Sequence, residues 1–177
     1  VTGISANDWA IFYGVGSGTY VQAGLGCYQI TAVDTGNNRI TVRSTNRKRA
    51  PSNGVQQVSF VVAKTVLSSS AGCLDVNNGA DLGGISNLLL VSSSTTDPVI
   101  NIDVDSFLGI GDCVGTNGGL NGVYANAATI RKLDATAEKH AFSNAAGTGF
   151  YLYAGAMAYM PRCKFAGNVS NGLTVTS

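Results

Sequence analysis

Short runs of alternating apolar and polar residues recur along this chain, and clusters of glycine and asparagine separate them. Within 27–44, Tyr28, Ile30, Ala32 and Asp34 alternate with Gln29, Thr31 and Val33. After Gly36-Asn37-Asn38 the run resumes as Arg39, Ile40, Thr41, Val42 and Arg43. Two such runs joined by a short Gly/Asn loop predict a β-hairpin. Positions 55–67 read as a strand with a buried middle at Phe60, Val61 and Val62, and 88–91 as a short apolar strand. Ile100, Ile102 and Val104 alternate with Asn101, Asp103 and Asp105, the pattern of a strand with one wet face. The aromatic-rich run 150–160 ends at Pro161, which cannot continue a central ladder. Leu173 and Val175 alternate with Thr174 and Thr176, so 172–177 reads as a last strand or as one offered to a neighbour.

One stretch follows a different period. Ile130, Leu133, Ala137 and Ala141 recur at helical spacing, with Arg131, Lys132, Asp134, Glu138 and Lys139 off that face. Asn126 or Thr129 can cap its start, so the spacing predicts one short helix over 127–141. Many short strands with turn residues between them predict a mainly β single domain over 1–177, an antiparallel β-sandwich or barrel carrying that helix. A soft division is expected near Leu67, and no repeat of about 20–50 residues stands out.

Charge changes the picture most. Only 12% of the 177 residues are charged, about half the usual share of a soluble domain. Glu138 is the single Glu and His140 the single His. Enzymes usually gather several titratable side chains in a cleft, so the expectation is no enzyme, no catalytic residue, no metal and no cofactor. A formal net charge of +1 gives no global attraction to nucleic acid or membrane. No apolar run reaches the roughly 18 residues of a membrane span. Val1 fits a removed initiator methionine and a cleaved signal peptide equally well.

Candidate chemistry is sparse. Cys27, Cys73, Cys113 and Cys163 form no CxxC pair, which leaves two disulfides or four buried thiols. Arg39, Arg43, Arg47, Lys48 and Arg49 concentrate five of the 11 positive charges in one segment. They read as a solvated edge or a contact for an acidic protein partner, with nucleic acid second because no aromatics are interleaved for base stacking. The acidic segment 97–112 of a second copy is the favoured acidic neighbour. Asp103 and Asp105 share a strand face, more in keeping with a polar sheet surface than with a glycosidase pair or a calcium loop. His140 is expected at the surface of the helix, and no GxSxG elbow accompanies it. Asn168-Val169-Ser170 is a glycosylation triplet of a kind that arises often by chance. Aromatics cluster at Trp9, Phe12, Tyr13 and Tyr20, and again at Phe150, Tyr151, Tyr153 and Tyr159. These suit core strands first, then a sugar or a partner, with Tyr151, Tyr153 and Tyr159 on one strand face as a plausible subunit interface.

The segment Gly26-Cys27-Tyr28-Gln29-Ile30-Thr31-Ala32-Val33-Asp34-Thr35-Gly36-Asn37-Asn38-Arg39-Ile40-Thr41-Val42 resembles the Y-x-I-T-x-V-D-x-x-x-N-x-I-T-V hairpins of bacteriophage virion proteins. The low-charge body rich in Gly, Asn, Ser and Thr is similar to capsid, cement (decoration) and tail proteins. The resemblance implies a multimeric structural component of a virion, a capsid or cement protein first, whose partners are its own copies and other shell or fibre proteins. It brings no catalytic residue, and the four cysteines and the expected helix depart from it. Alternatives are a pilus or surface-fibre subunit that donates 172–177 to its neighbour, an extracellular carbohydrate-binding module, and a hydrolase using His140 or Asp103.

Overall fold

The hairpin forms as its alternation dictates. In a computed structural model, which describes residues 2–15, 26–43, 58–63, 65–111, 114–132, 140–159 and 163–177, β1 (Trp9–Val15), β2 (Gly26–Asp34), β3 (Arg39–Arg43) and β4 (Val58–Val62) make one antiparallel sheet in the order β3-β2-β1-β4. Asp34 pairs with Arg39 across the turn. Asp34 also closes that turn, its carboxylate accepting from the Asn37 main-chain N–H (3.1 Å) and side-chain amide (2.8 Å).

From β5 onward the chain winds instead of folding back. The first coil is β5 (Thr65–Ser69), β6 (Leu74–Val76) and β7 (Asp81–Ile85). The second is β8 (Leu88–Ser92), β9 (Ile100–Ile102) and β10 (Phe107–Ile110). The third is β11 (Val114–Gly118), β12 (Val123–Asn126) and β13 (Thr129–Lys132). The fourth is β14 (Ala141–Ser143), β15 (Phe150–Tyr153) and β16 (Met157–Tyr159), and β17 (Lys164–Ala166) and β18 (Leu173–Val175) begin another. Each strand bonds in parallel to the corresponding strand one coil away. The result is a β-solenoid of about four turns with three faces: face I (β17-β14-β11-β8-β5), face II (β18-β15-β12-β9-β6) and face III (β16-β13-β10-β7).

This corrects the expected antiparallel sandwich or barrel, because antiparallel pairing is confined to β1–β4. Alternation reports only that one side of a strand is buried. It does not say whether the next strand returns beside it or turns a corner to start a new face. The expected helix over 127–141 is also overturned. Ala127 turns the corner with φ +45°, and Thr129–Lys132 is strand β13. Ile130 points inward between Leu108 and Ala158, whereas Ala141 begins β14 on another face. Residues 133–139 of that segment lie outside the described residues, among which there is no helix. The run 150–160 is two strands rather than one, broken at Ala154 (φ +51°) and Gly155 (φ +76°).

Inward side chains stack coil upon coil. Ile100, Val123 and Phe150 form one column and Ile102, Ala125 and Leu152 the next. Phe142 meets Phe150 edge-on at 5.1 Å. Gly122, Gly149 and Gly172 stack where the chain enters face II, and the carbonyl of each accepts from the coil before it. A β-carbon on Gly122 would stand 2.5 Å from the Gly149 carbonyl oxygen, so close coil stacking demands glycine there.

The antiparallel sheet lies on the outer side of face I. Ile11 and Cys27 pack against Leu89 and Ala141, with Trp9, Val61, Val66 and Val91 around them. A β-carbon on Gly115 would stand 2.8 Å from Cys27 Sγ, so the bare backbone of β11 lets β2 settle onto the face. Antiparallel pairing gives way to parallel pairing between β4 and β5.

Candidate interaction faces

The three faces differ in what their outward positions carry. Face I is apolar and covered. Its outward Asn117 and Ser143 are buried and tie down β2: Asn117 Nδ2 donates to the Cys27 carbonyl (2.8 Å), and Ser143 Oγ accepts from the Cys27 N–H (3.1 Å). Burial pushes the Cys27 thiol up to about 12, against a smaller opposing pull from its hydrogen bond with Ser143. Cys27 is therefore a packing residue rather than a nucleophile.

Face II is polar and aromatic. In β12 and β15 the inward Val123, Ala125, Phe150 and Leu152 leave Tyr124, Asn126, Tyr151 and Tyr153 outward. Tyr124 lies against Tyr151 with ring centroids 5.5 Å apart and planes 14° apart. Tyr151 and Tyr153 are 6.5 Å apart with planes 9° apart. Thr176 Oγ1 donates to Tyr151 Oη (3.2 Å), and Asn126 Nδ2 donates to Asp103 Oδ1 (3.2 Å). Partial burial first, then the neighbouring Tyr153, Tyr151 and Asp103, holds the Tyr124 phenol above its ordinary range.

Face III is mixed. Around the corner from Tyr153 a shallow groove of about 500 Å³ is lined by Asp81, Asp105, Phe107, Thr129, Arg131 and Met157. The Arg131 guanidinium carbon stands 4.6 Å from the centre of the Phe107 ring, a cation–π contact that fixes both. Met157 is 65% exposed and Tyr159 73% exposed on the outer side of the same sheet.

The structure brings together few of the residues singled out from the sequence. Arg39 and Arg43 are exposed on β3, on the side opposite the half-buried Ile40 and Val42. Arg47, Lys48 and Arg49 lie outside the described residues. Cys27 and Cys73 carry thiols whose sulfurs donate to the carbonyls of Ala141 (3.6 Å) and Val91 (3.3 Å). Cys163 is half-buried against the core, and Cys113 lies outside the described residues. Asp103 and Asp105 do not share a strand face: both follow β9, and Asp105 turns the corner at φ +59°. Asp97 sits at a different corner, engaged by Ser94 Oγ (2.8 Å), so Asp97, Asp103 and Asp105 do not form one acidic patch, and Asp112 lies outside the described residues. His140 is fully buried, contrary to its expected surface place, and its Nδ1 accepts from the Val114 N–H (3.4 Å). Tyr159 stands on face III, apart from Tyr151 and Tyr153.

Tyr124 and the groove escaped the sequence reading. A signal for Tyr124 existed, since Gly122-Val123-Tyr124-Ala125 and Gly149-Phe150-Tyr151-Leu152 share one pattern. Nothing local marks Asp81, Phe107 and Met157 as neighbours. Among the described residues no group of three or more His, Cys, Asp or Glu side chains is placed to hold a metal. Compared with family models, curated proteins and solved structures, the chain matches none.

Proposed function

We propose that this chain is a non-enzymatic structural subunit of a virion, held in its particle by protein–protein contacts made through face III. The observation that carries the reading is the pair Met157 and Tyr159, 65% and 73% exposed beside a groove on a sheet face that nothing in the chain covers among the described residues. Clustered exposed apolar and aromatic side chains mark protein contacts. The chain itself covers the comparable apolar face I with an antiparallel sheet. Supporting the virion setting is the 26–42 resemblance, whose residues form the β2–β3 hairpin. Face II, polar and aromatic, is left to solvent, which suits an outer component such as a cement or tail part over a tile enclosed on all sides. Strand donation by 172–177 is the weaker rival, because β18 is already bonded to β15.

Sedimentation velocity tests the contact. The full chain is expected to associate as its concentration rises, and Met157→Ser with Tyr159→Ser to shift it toward monomer without lowering its melting temperature. A wild-type chain that stays monomeric at high concentration, and is found in no larger particle by electron microscopy, overturns the reading.

A further inference from the structure

We infer that face II is a binding surface for a neutral saccharide chain, with Tyr153 and Tyr151 as its stacking shelf. Two residues along a strand advance about 6.6 Å. The Tyr151 and Tyr153 rings are 6.5 Å apart and 9° from parallel, a spacing that matches this advance. Tyr124 backs Tyr151 from the preceding coil at 5.5 Å, close to the strand spacing of about 4.8 Å. Three rings held by each other and by the sheet form a platform that loses little freedom when a ligand arrives. Tyr153, 41% exposed, is the open end of that platform.

The surroundings select the ligand. Over the five strands of face II the outward positions in register hold Asp75, Asn101, Tyr124, Tyr151 and Thr174, with Asp103 and Asn126 one step further. None is aliphatic, so the rings are flanked by hydroxyl, amide and carboxylate groups alone. None is cationic, so it has no partner for phosphate, sulfate or a uronate. Hydroxyls, amides and carboxylates beside aromatic rings are the groups that take up sugar hydroxyls and the apolar C–H side of a pyranose together. The Asp103 carboxylate accepts from Asn126 and from the Val104 N–H (2.8 Å). A carboxylate has about four acceptor sites, which leaves room for a sugar hydroxyl.

This binding surface is separate from the face III contact, and its test keeps the two apart. The full chain is applied to an array of neutral and sialylated oligosaccharides, and the best neutral binder is titrated calorimetrically. Tyr153→Ala is expected to weaken binding at least about tenfold. Tyr153→Phe, which keeps the ring, should stay within about threefold, and Met157→Ser with Tyr159→Ser should leave binding unchanged. Retention of no neutral glycan, preference for the sialylated set, or indifference to Tyr153→Ala overturns the inference. So does self-association lost in Tyr153→Ala, which would make face II a protein contact.

Discussion

Cys27 shows how tightly one side chain can be held where two sheets meet. Its sulfur donates to Ala141, its main-chain N–H to Ser143, and its carbonyl accepts from Asn117. Burial raises its thiol from 9.0 to about 12, and burial together with the neighbouring Cys27 raises the Tyr28 phenol from 10.0 to about 12. Both groups are neutral when protonated, and the native state keeps the proton longer than the unfolded chain does. Between about pH 9 and about pH 12 the unfolded chain therefore binds fewer protons, and stability falls as pH rises through that window. Below pH 9 their contribution is fully present. Urea unfolding followed across this range is expected to show a steady drop in midpoint, and Cys27→Ala a shallower drop from a lower starting value. An equally steep alkaline fall in the variant would assign the effect to other groups.

At the scale of elements, the corners rather than the strands decide the fold. The register that places Ser92, Gly118, Asn144 and Gly167 in one column puts left-handed backbone at Gly118 (φ +86°), Asn144 (φ +56°) and Gly167 (φ +67°), all types that tolerate it. A β-carbon on Gly118 would collide with the Ser92 carbonyl oxygen, and the positive φ adds strain whatever the space. Gly118→Ala is expected to cost roughly 3 kcal/mol in urea unfolding. Gly83→Ala, where nothing lies within 4 Å and no positive φ is required, should change stability by less than about 0.5 kcal/mol. Equal losses at the two sites would mean that coil stacking does not set the requirement. These corners also explain what was legible beforehand. The 27–44 hairpin could be read because its turn and both strands are contiguous. Of the alternation read over 100–105, only Ile100, Asn101 and Ile102 are strand, and Asp103 and Asp105 fall in the corner that follows. The coil could not be read, because its corners vary in length: Phe107 pairs with Thr129, 22 residues on, and Thr129 with Met157, 28 residues on. A drifting period hides a repeat even where Gly122, Gly149 and Gly172 each open the same short motif. The helical spacing of Ile130 and Ala141 was a coincidence of the same kind: Ile130 packs into the core of the rod, whereas Ala141 packs on the outer side of face I beneath the antiparallel sheet. The face II platform depends on neighbours a whole coil apart, so Tyr151 and Tyr153 were visible from the sequence while their support by Tyr124 was not.

At the scale of the whole molecule, the few charges matter through where they stand. The solenoid presents one covered face, one polar aromatic face and one mixed face, and Arg39 and Arg43, the described part of the basic cluster, stand on β3 of the antiparallel sheet. Five of the 11 basic residues fall in 39–49, which leaves the rest of the chain net negative. Arg39 stands opposite Asp34 across the hairpin, and after the Asn37 hydrogen bonds its charge helps hold that carboxyl below the usual range, so part of its field is used locally. Arg43 stands opposite the uncharged Gln29. Asp97 and the Asp103–Asp105 pair stand at two different corners, so among the described residues a second copy offers no single acidic patch to meet them, and on the proposed virion reading the partner would be an acidic surface on a different shell or tail protein. Attraction between exposed charges is screened over about 8 Å at physiological ionic strength, so binding to the parent particle should weaken as salt is added. Arg43→Ser is expected to reduce that binding at low salt more than Arg39→Ser does, and the double variant to flatten the salt dependence without altering the melting temperature. If the particle retains the double variant as it does the wild type at every salt concentration, these two arginines are a solvated strand edge, and the particle contact rests on face III alone.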